Sequence, residues 1–240
     1  MTGLAYYAGC TAAYRLQNIA RSTVKILKKL GVDFKIIGGD EICCGSILFN
    51  TGLMDEGVKL AEKNKKQFAD LGIETLITEC AGCAKTFRKV YPEHLDFQIR
   101  TLHFTEFLDG IIKKNNLNLL HKYPIKVTYH DPCHLGRGLG IYDPPRNIIK
   151  SIKNVQLLEM KRSREGSRCC GAGGGVKAAF PETSIKLGRE RLRDAEQLGV
   201  DLILTACPFC TRNLNDAANS YGSGLKTKDL SEFLLDCIQR

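Results

Sequence analysis

Two adjacent cysteines followed by a glycine occur twice in the chain, at 43–45 and at 169–171. Each triplet lies between a single upstream cysteine and a downstream Cys-x-x-Cys pair. Thiolates are soft ligands that bind zinc and iron-sulfur clusters, and thiols also form disulfides. Eleven cysteines exceed what core packing requires, and ten follow the pattern: Cys10, Cys43, Cys44, Cys80, Cys83, Cys133, Cys169, Cys170, Cys207 and Cys210. The spacing therefore indicates metal or redox chemistry.

The cysteine pattern is an internal repeat. The five cysteines of the first set recur in the second at offsets of 123, 126, 126, 127 and 127 residues. The ends of the two copies agree as well, because Glu106 in "TEFLDGII" corresponds to Glu232 in "SEFLLDCI". We therefore predict two copies of one unit, at residues 1–122 and 123–240.

Short β-prone runs alternate with helical runs in each copy. The pattern predicts strands at "LAYY", "DFKII" and "TLIT" and at "IKVTY", "VQLLEM" and "DLILT", with helices that include 15–30, 54–71 and 181–198. This alternation predicts an α/β fold of two tandem pseudo-symmetric repeats, each a small parallel sheet flanked by helices. Since the cysteines follow the strands, we expect them at the carboxyl ends of the sheets, where open α/β folds collect ligands.

Composition limits the class of protein. With 43% hydrophobic and 25% charged residues, the chain is typical of a soluble globular protein. No stretch approaches the roughly 18 apolar residues of a membrane span. We predict a cytoplasmic protein, associated with a membrane at most through a partner. In the reducing cytosol, clustered thiols bind metal more often than they form disulfides. The net charge of +9 fits an acidic redox partner or an anionic substrate, because no nucleic-acid-binding pattern accompanies it.

Five thiols in each copy leave several sites open. A structural zinc site uses four ligands, as does a cubane [4Fe-4S] cluster, so either would leave one thiol without a role. An opened iron-sulfur core could use all five. Adjacent cysteines in a tight turn can reach different irons, and Gly45 and Gly171 would let the backbone approach the inorganic core. The alternatives are therefore iron-sulfur clusters, zinc in at least one half, and plain thiols.

These motifs resemble the cysteine-rich "CCG" domain of heterodisulfide reductase catalytic subunits, which also occurs in iron-sulfur subunits of glycolate, lactate and anaerobic glycerol-3-phosphate oxidation systems. The most specific segments are "HDPCHLGR", "CCGAGGG" and "TACPFCTRNL". The resemblance implies two noncubane [4Fe-4S] clusters that face each other across a pseudo-twofold axis, where a disulfide is cleaved. It assigns one cluster to Cys10, Cys43, Cys44, Cys80 and Cys83, and the other to Cys133, Cys169, Cys170, Cys207 and Cys210.

The resemblance predicts an oxidoreductase that works in a multisubunit complex of anaerobic metabolism. Its substrate would be a disulfide, such as a heterodisulfide of the coenzyme M–coenzyme B type. The sequence lacks the Cys-x2-Cys-x2-Cys-x3-Cys-Pro run of many relatives, so we expect electrons from a ferredoxin-like iron-sulfur subunit or a flavin-containing reductase subunit. One alternative is an electron-transfer subunit of a 2-hydroxyacid or glycerol-3-phosphate dehydrogenase complex, without its own substrate. Another is a zinc-stabilised scaffold.

Other polar residues lie next to the cysteines. His134, Arg137 and Lys177 are candidates for proton donation or for holding an anionic substrate, although each could equally make a structural hydrogen bond or be a solvated charge. His130, at a strand end, is predicted to be structural. Cys237 corresponds to Ile111 in the first copy, which predicts a buried apolar role. The glycine-rich "CCGAGGGVK" matches neither nucleotide-binding loop pattern, so no nucleotide site is expected.

Overall fold

The first half of the chain forms a four-stranded parallel sheet. The structure is a computed structural model that describes residues 3–115 and 117–238. The strands are β1 (Leu4–Tyr6), β2 (Lys35–Ile36), β3 (Thr75–Thr78) and β4 (Arg100–His103). They lie in the order β2-β1-β3-β4, and every neighbouring pair is parallel.

The second half repeats this topology. Its strands are β5 (Leu119–His130), β6 (Ile152–Leu157), β7 (Leu202–Thr205) and β8 (Lys226–Asp229). They lie in the order β6-β5-β7-β8, again parallel throughout. The predicted α/β fold of two pseudo-symmetric repeats is therefore confirmed. Strand β5 contains the predicted boundary between residues 122 and 123, and that boundary stays a prediction.

Helices cover both sheets. Those of the first half are α1 (Cys10–Tyr14), α2 (Gln17–Lys29), α3 (Ser46–Asn50), α4 (Met54–Asp70), α5 (Ala81–Lys85), α6 (Tyr91–His94) and α7 (Phe104–Asn115). Those of the second half are α8 (Gly136–Leu139), α9 (Asp143–Lys150), α10 (Val176–Ala179), α11 (Pro181–Glu196), α12 (Pro208–Tyr221) and α13 (Leu230–Cys237). No described helix has the length and the apolar character needed to cross a bilayer.

The repeated glutamates found in the sequence, Glu106 and Glu232, lie in the first turn of the last helix of each half. Before α13, Asp229 accepts a hydrogen bond from the Ser231 N–H at 2.9 Å, and Glu232 accepts one from the Asp229 N–H at 3.3 Å. Before α7, Glu106 accepts from the His103 N–H at 3.0 Å. Each glutamate thus satisfies a backbone donor that the start of the helix leaves without an intrahelical partner, as in a capping box.

These last helices are exchanged between the halves. Helix α7 follows the first sheet but packs against α9 of the second half, and α13 packs against α2 of the first. The main hydrophobic core accordingly joins Ile26 and Leu108 of the first half to Ile148 and Leu234 of the second. The two repeats share one core, so each repeat supplies part of the surface that the other buries.

The two halves support their cysteines differently. Behind the first set lies an aromatic cluster in which Tyr7, Phe87 and Tyr91 meet edge to face, with ring centroids 4.9 and 5.1 Å apart. Behind the second set, Arg146 is buried and donates to both carboxylate oxygens of Asp131, at 2.6 and 3.0 Å, and to both of Glu159. One half is therefore braced by ring packing and the other by an ion-pair triad in which Arg146 and Asp131 are buried and Glu159 is exposed.

Candidate metal centre

The cysteines lie where strands end and helices begin, as predicted. Cys10 is the first residue of α1, shortly after β1, and Cys80 immediately precedes α5, after β3. In the second half Cys133 follows β5, and Cys207 immediately precedes α12, after β7. The adjacent pairs lie in the segments after β2 and β6. Parallel strands thus bring residues distant in sequence to one edge of each sheet.

The ten thiols form one continuous row of neighbours. In the first half, neighbouring thiols that shift each other's pKa run in the order Cys10, Cys43, Cys44, Cys83 and Cys80. In the second half they run in the order Cys133, Cys169, Cys170, Cys210 and Cys207. The rows join because Cys80 and Cys207 are neighbours: Cys207 raises the pKa of Cys80, and Cys80 lowers the pKa of Cys207. All eleven cysteines lie within the described residues, and all are free thiols.

The row lines a cavity of about 120 Å³ between the two halves. Nine of the ten cysteines line it, all except Cys169, together with small and apolar groups such as Ala81, Gly174 and Phe209. In the described part of the chain, His134 is the one ionisable lining residue that is not a cysteine. The cavity wall therefore offers soft sulfur ligands without a carboxylate to compete for a metal.

Mutual contact prevents these thiols from ionising together. Contact with Cys169 raises the pKa of Cys133 and of Cys170, whereas contact with those neighbours lowers the pKa of Cys169. In the first half, contact with Cys44 raises the pKa of Cys83. Crowded thiols become thiolates together only when cations neutralise them. The donor set therefore fits a metal cluster, whose positive irons would bind every sulfur in its ionised form.

Buried side chains fix the turns that hold the cysteine pairs. The Tyr91 hydroxyl donates to the Cys44 carbonyl oxygen at 3.1 Å, and the Asn213 amide donates to the Cys170 carbonyl at 2.5 Å. Asn64 makes the corresponding bond to the Cys43 carbonyl oxygen at 3.0 Å. These residues lie outside the cysteine motifs and are not among the sequence candidates, although an asparagine on the apolar face of a helix is a signal that could have found the two amides.

The glycines after the pairs have a backbone role. Gly45 and Gly171 have φ of +73° and +92°, which L side chains rarely adopt. A Cβ on Gly171 would lie 2.5 Å from the Ser184 carbonyl oxygen of α11, whereas at Gly45 the nearest atom is a ring carbon of Phe49 at 3.5 Å. The sequence predicts that these glycines let the backbone approach an inorganic core. At Gly171 the missing side chain instead makes room for helix α11.

His134 lines the cavity and reaches toward the first half. A Cβ on Gly82 would lie 3.5 Å from Nδ1 of His134, so the imidazole faces the turn that carries Cys80 and Cys83. Burial lowers the pKa of His134 below its usual value. Among the three sequence candidates for catalysis, it is the one in the cavity wall.

Arg137 and Lys177 do not line the cavity. Arg137 donates to the Ser167 carbonyl at 2.7 Å and so holds the segment that precedes Cys169. The Lys177 ammonium donates to Asn213 Oδ1 at 2.6 Å and pairs with Asp216 at 2.7 Å. These bonds give both side chains structural partners, and their catalytic roles stay predictions.

Comparison with known proteins gives matches to both halves. A family model described as "CCG: Cysteine-rich domain" matches residues 4–88 and 127–215. The chain is 39% identical over 234 residues to a subunit of the dihydromethanophenazine:CoB–CoM heterodisulfide reductase of Methanosarcina acetivorans, covering 95% of this chain and 57% of that protein. It is 35% identical over 235 residues to a subunit of the fumarate reductase (CoM/CoB) of Methanothermobacter marburgensis, covering 96% of this chain and 45% of that protein.

A third relative is bacterial. The chain is 35% identical over 240 residues to the probable iron-sulfur-binding oxidoreductase FadF of Bacillus subtilis, covering 97% of this chain and 34% of that protein. The chain therefore spans less than two thirds of the length of each of these three relatives.

Proposed function

The chain belongs to the cysteine-rich CCG domain family, and on this premise we propose that it is an iron-sulfur redox subunit that reduces a disulfide with electrons from a partner subunit. The observation that carries the proposal is the single cavity between the halves, which is lined by cysteines of both sets and where Cys80 and Cys207 are neighbours. Each set would hold one noncubane [4Fe-4S] cluster. The substrate class we propose is a heterodisulfide, in keeping with the name of the Methanosarcina relative.

The cavity between the halves suits a reaction that treats two sulfurs alike. Reduction of a disulfide breaks one S–S bond, adds two electrons and takes up two protons, so that two thiols are released. Clusters bound by the two sets would supply these electrons, one from each side. His134 would relay a proton from solvent to one departing sulfur, and the second proton would come directly from solvent. The apolar wall would exclude most water from the S–S bond.

Electrons would enter through the first set. Cys10 is exposed, whereas Cys44, Cys80 and Cys83 of the same set are buried. We propose that a ferredoxin-like iron-sulfur subunit or a flavin-containing subunit docks beside Cys10. The named relatives in methanogens are themselves described as subunits, which supports a multisubunit assembly.

Disulfide turnover tests the proposal. Protein with both clusters, driven by a reduced viologen dye, is expected to consume a heterodisulfide, and Cys44→Ser or Cys170→Ser should each lower the rate at least about 100-fold. One electron from a single cluster would leave a sulfur radical, so one set alone cannot complete the reaction. Cys237→Ala is the control, because Cys237 lies in α13 outside the row. Full turnover in either cluster variant would refute the two-cluster reaction.

His134→Ala is expected to slow disulfide reduction about 100-fold, as loss of a general acid does. Iron content should not change, because His134 lies beside the row and is not one of its thiols. The rate and the iron content are measured on the same samples, with His94→Ala as the control at an exposed position. An unchanged rate would show that the protons come from elsewhere.

A second candidate function is electron transfer without a substrate of its own. The similarity to the Bacillus subtilis protein supports it, because that protein is named as a probable iron-sulfur-binding oxidoreductase. Fully loaded protein that passes electrons between a flavoprotein and a quinone, but turns over no disulfide, would support this candidate over the first.

A further inference from the structure

His130 carries a buried ring nitrogen without a partner. The residue ends strand β5, where it pairs with Thr205, and its side chain is fully buried. Its Nδ1 accepts a hydrogen bond from Nε of Arg191 at 3.0 Å. Its Nε2 has no hydrogen-bond partner among the described residues. Buried polar atoms are nearly always paired, so this nitrogen indicates a missing acceptor.

Arg191 determines which ring nitrogen carries the proton. A guanidinium group has donors only, so Nδ1 of His130 must offer its lone pair to Arg191. The neutral ring then carries its hydrogen on Nε2. Arg191 is itself fully buried and held in place by a second bond, from Nη1 to the Arg162 carbonyl at 2.7 Å. The free nitrogen is therefore a donor, with no lone pair available for a metal.

The donor lies beside the second set of thiols. A ring nitrogen of His130 and the Sγ atoms of Cys170 and Cys210 all lie within 4.8 Å of one another. Because Nδ1 is occupied by Arg191, we infer that Nε2 is the nitrogen available to these sulfurs. Without Arg191, the same three groups would have been a candidate Cys2His metal site.

The first half has a different residue at this position. Tyr6 pairs with Ile77 and Tyr129 pairs with Leu204, so the residues that follow, Tyr7 and His130, correspond between the repeats. The Tyr7 hydroxyl donates to the Ile42 carbonyl oxygen at 2.7 Å. At this position the donor of the first half, the Tyr7 hydroxyl, is bonded to the backbone, whereas the donor of the second half, Nε2 of His130, has no partner among the described residues.

We propose that His130 is a hydrogen-bond donor to a sulfur atom of the second cluster and raises the reduction potential of that cluster. The inference rests on the proposed function only in requiring an iron-sulfur cluster at the second set, and it does not depend on the substrate. Reduction adds negative charge to the sulfurs, and donors to those sulfurs favour the reduced state. One hydrogen bond to a charged group changes the oxidised-to-reduced equilibrium about tenfold, which is about 59 mV for a one-electron couple.

The test uses protein that carries only the second cluster. In a Cys44→Ser background, His130→Leu is expected to make reduction of that cluster about tenfold less favourable in a redox titration followed by electron paramagnetic resonance. His130→Gln keeps an N–H donor and should restore most of the difference. Tyr7→Phe, at the corresponding position of the first half, should leave the titration unchanged. In a Cys170→Ser background, where only the first cluster remains, His130→Leu should have no effect.

Labelling with ¹⁵N-histidine gives an independent readout. Pulsed resonance of the wild-type protein should show a weak nitrogen coupling to the second cluster, and this coupling should vanish in His130→Leu. A strong coupling, as from a directly bound imidazole, would overturn the proposal, and so would an absent coupling or an unchanged titration. If His130→Leu does not fold, the coupling in His134→Ala protein and the titration of His130→Gln still decide. Wild-type protein that turns over no disulfide but shows the nitrogen coupling and the expected shift in the titration would contradict only the proposed function.

Discussion

Protein purified without oxygen is expected to contain about eight irons and eight acid-labile sulfides per chain, because each set of five thiols would hold one four-iron cluster. The physical reason is the mutual suppression of ionisation along the row, which a cluster's cations would relieve in both halves. Iron, sulfide and zinc are measured on one sample. Stoichiometric zinc without iron would contradict the assignment and favour a zinc-stabilised scaffold.

Single substitutions separate the two sets. Cys44 is a neighbour of Cys43 and Cys83 in the first row, and Cys170 is a neighbour of Cys169 and Cys210 in the second. Cys44→Ser and Cys170→Ser are each expected to lower the iron content to about four, with the spectrum of the remaining cluster retained. Cys237→Ser should keep about eight. If both row variants kept eight irons and unchanged spectra, the second thiol of each pair would have no role in binding.

Arg146→Met is expected to lower the free energy of unfolding by about 3–5 kcal/mol. Arg146 is 1% exposed and is bound by both carboxylate oxygens of Asp131 and both of Glu159. Its removal leaves the buried Asp131 carboxylate without its cation, and an uncompensated buried charge is far more costly than a lost surface pair. Urea unfolding of the cluster-free protein, followed by circular dichroism, measures the change.

Arg193→Met is the matched control. Arg193 pairs with Glu190 at 2.6 Å, the same distance as the shortest Arg146 contact, but its side chain is 51% exposed. An exposed pair contributes about 0–1 kcal/mol, so this variant should unfold at nearly the wild-type urea concentration. Equal losses of unfolding free energy in the two variants would show that burial of Arg146 and Asp131 does not determine how much their ion pair stabilises the fold.

The repeat could be predicted because the spacing of the cysteines recurs in the second half. The sheet edges could be predicted because short apolar runs indicate the strands that the cysteines follow. The runs at "TLIT" and "DLILT" became β3 and β7. Strands β4 and β8 were missed, since "RTLH" and "KTKD" alternate buried residues with charged or polar ones and lack an apolar run. The helices α2, α4 and α11 ended within two residues of their predicted bounds, because their apolar faces repeat at the helical period.

The environment of the site could not be predicted from spacing. The sequence predicts a structural role for His130. In the structure, Nδ1 of His130 accepts a hydrogen bond from Arg191, a residue 61 positions away, and this bond leaves the hydrogen of the neutral ring on the unpaired Nε2. The roles of Arg137 and Lys177 likewise depend on partners from other elements, such as Ser167 and Asp216. Local sequence gives the ligand types, whereas tautomers and ion pairs depend on which elements the fold places side by side.

The exchanged helices affect the order in which the chain can fold during synthesis. Ser231 Oγ of α13 donates to the carbonyl of Ile19 in α2 at 3.5 Å, across 212 residues of sequence. A nascent chain that has emerged only through α7 lacks the partner for the apolar face of α2. The amino-terminal half therefore cannot complete its packing as an independent domain ahead of the rest, although domains generally fold in that order on the ribosome. Stable placement of the first set of thiols would accordingly follow translation of α13.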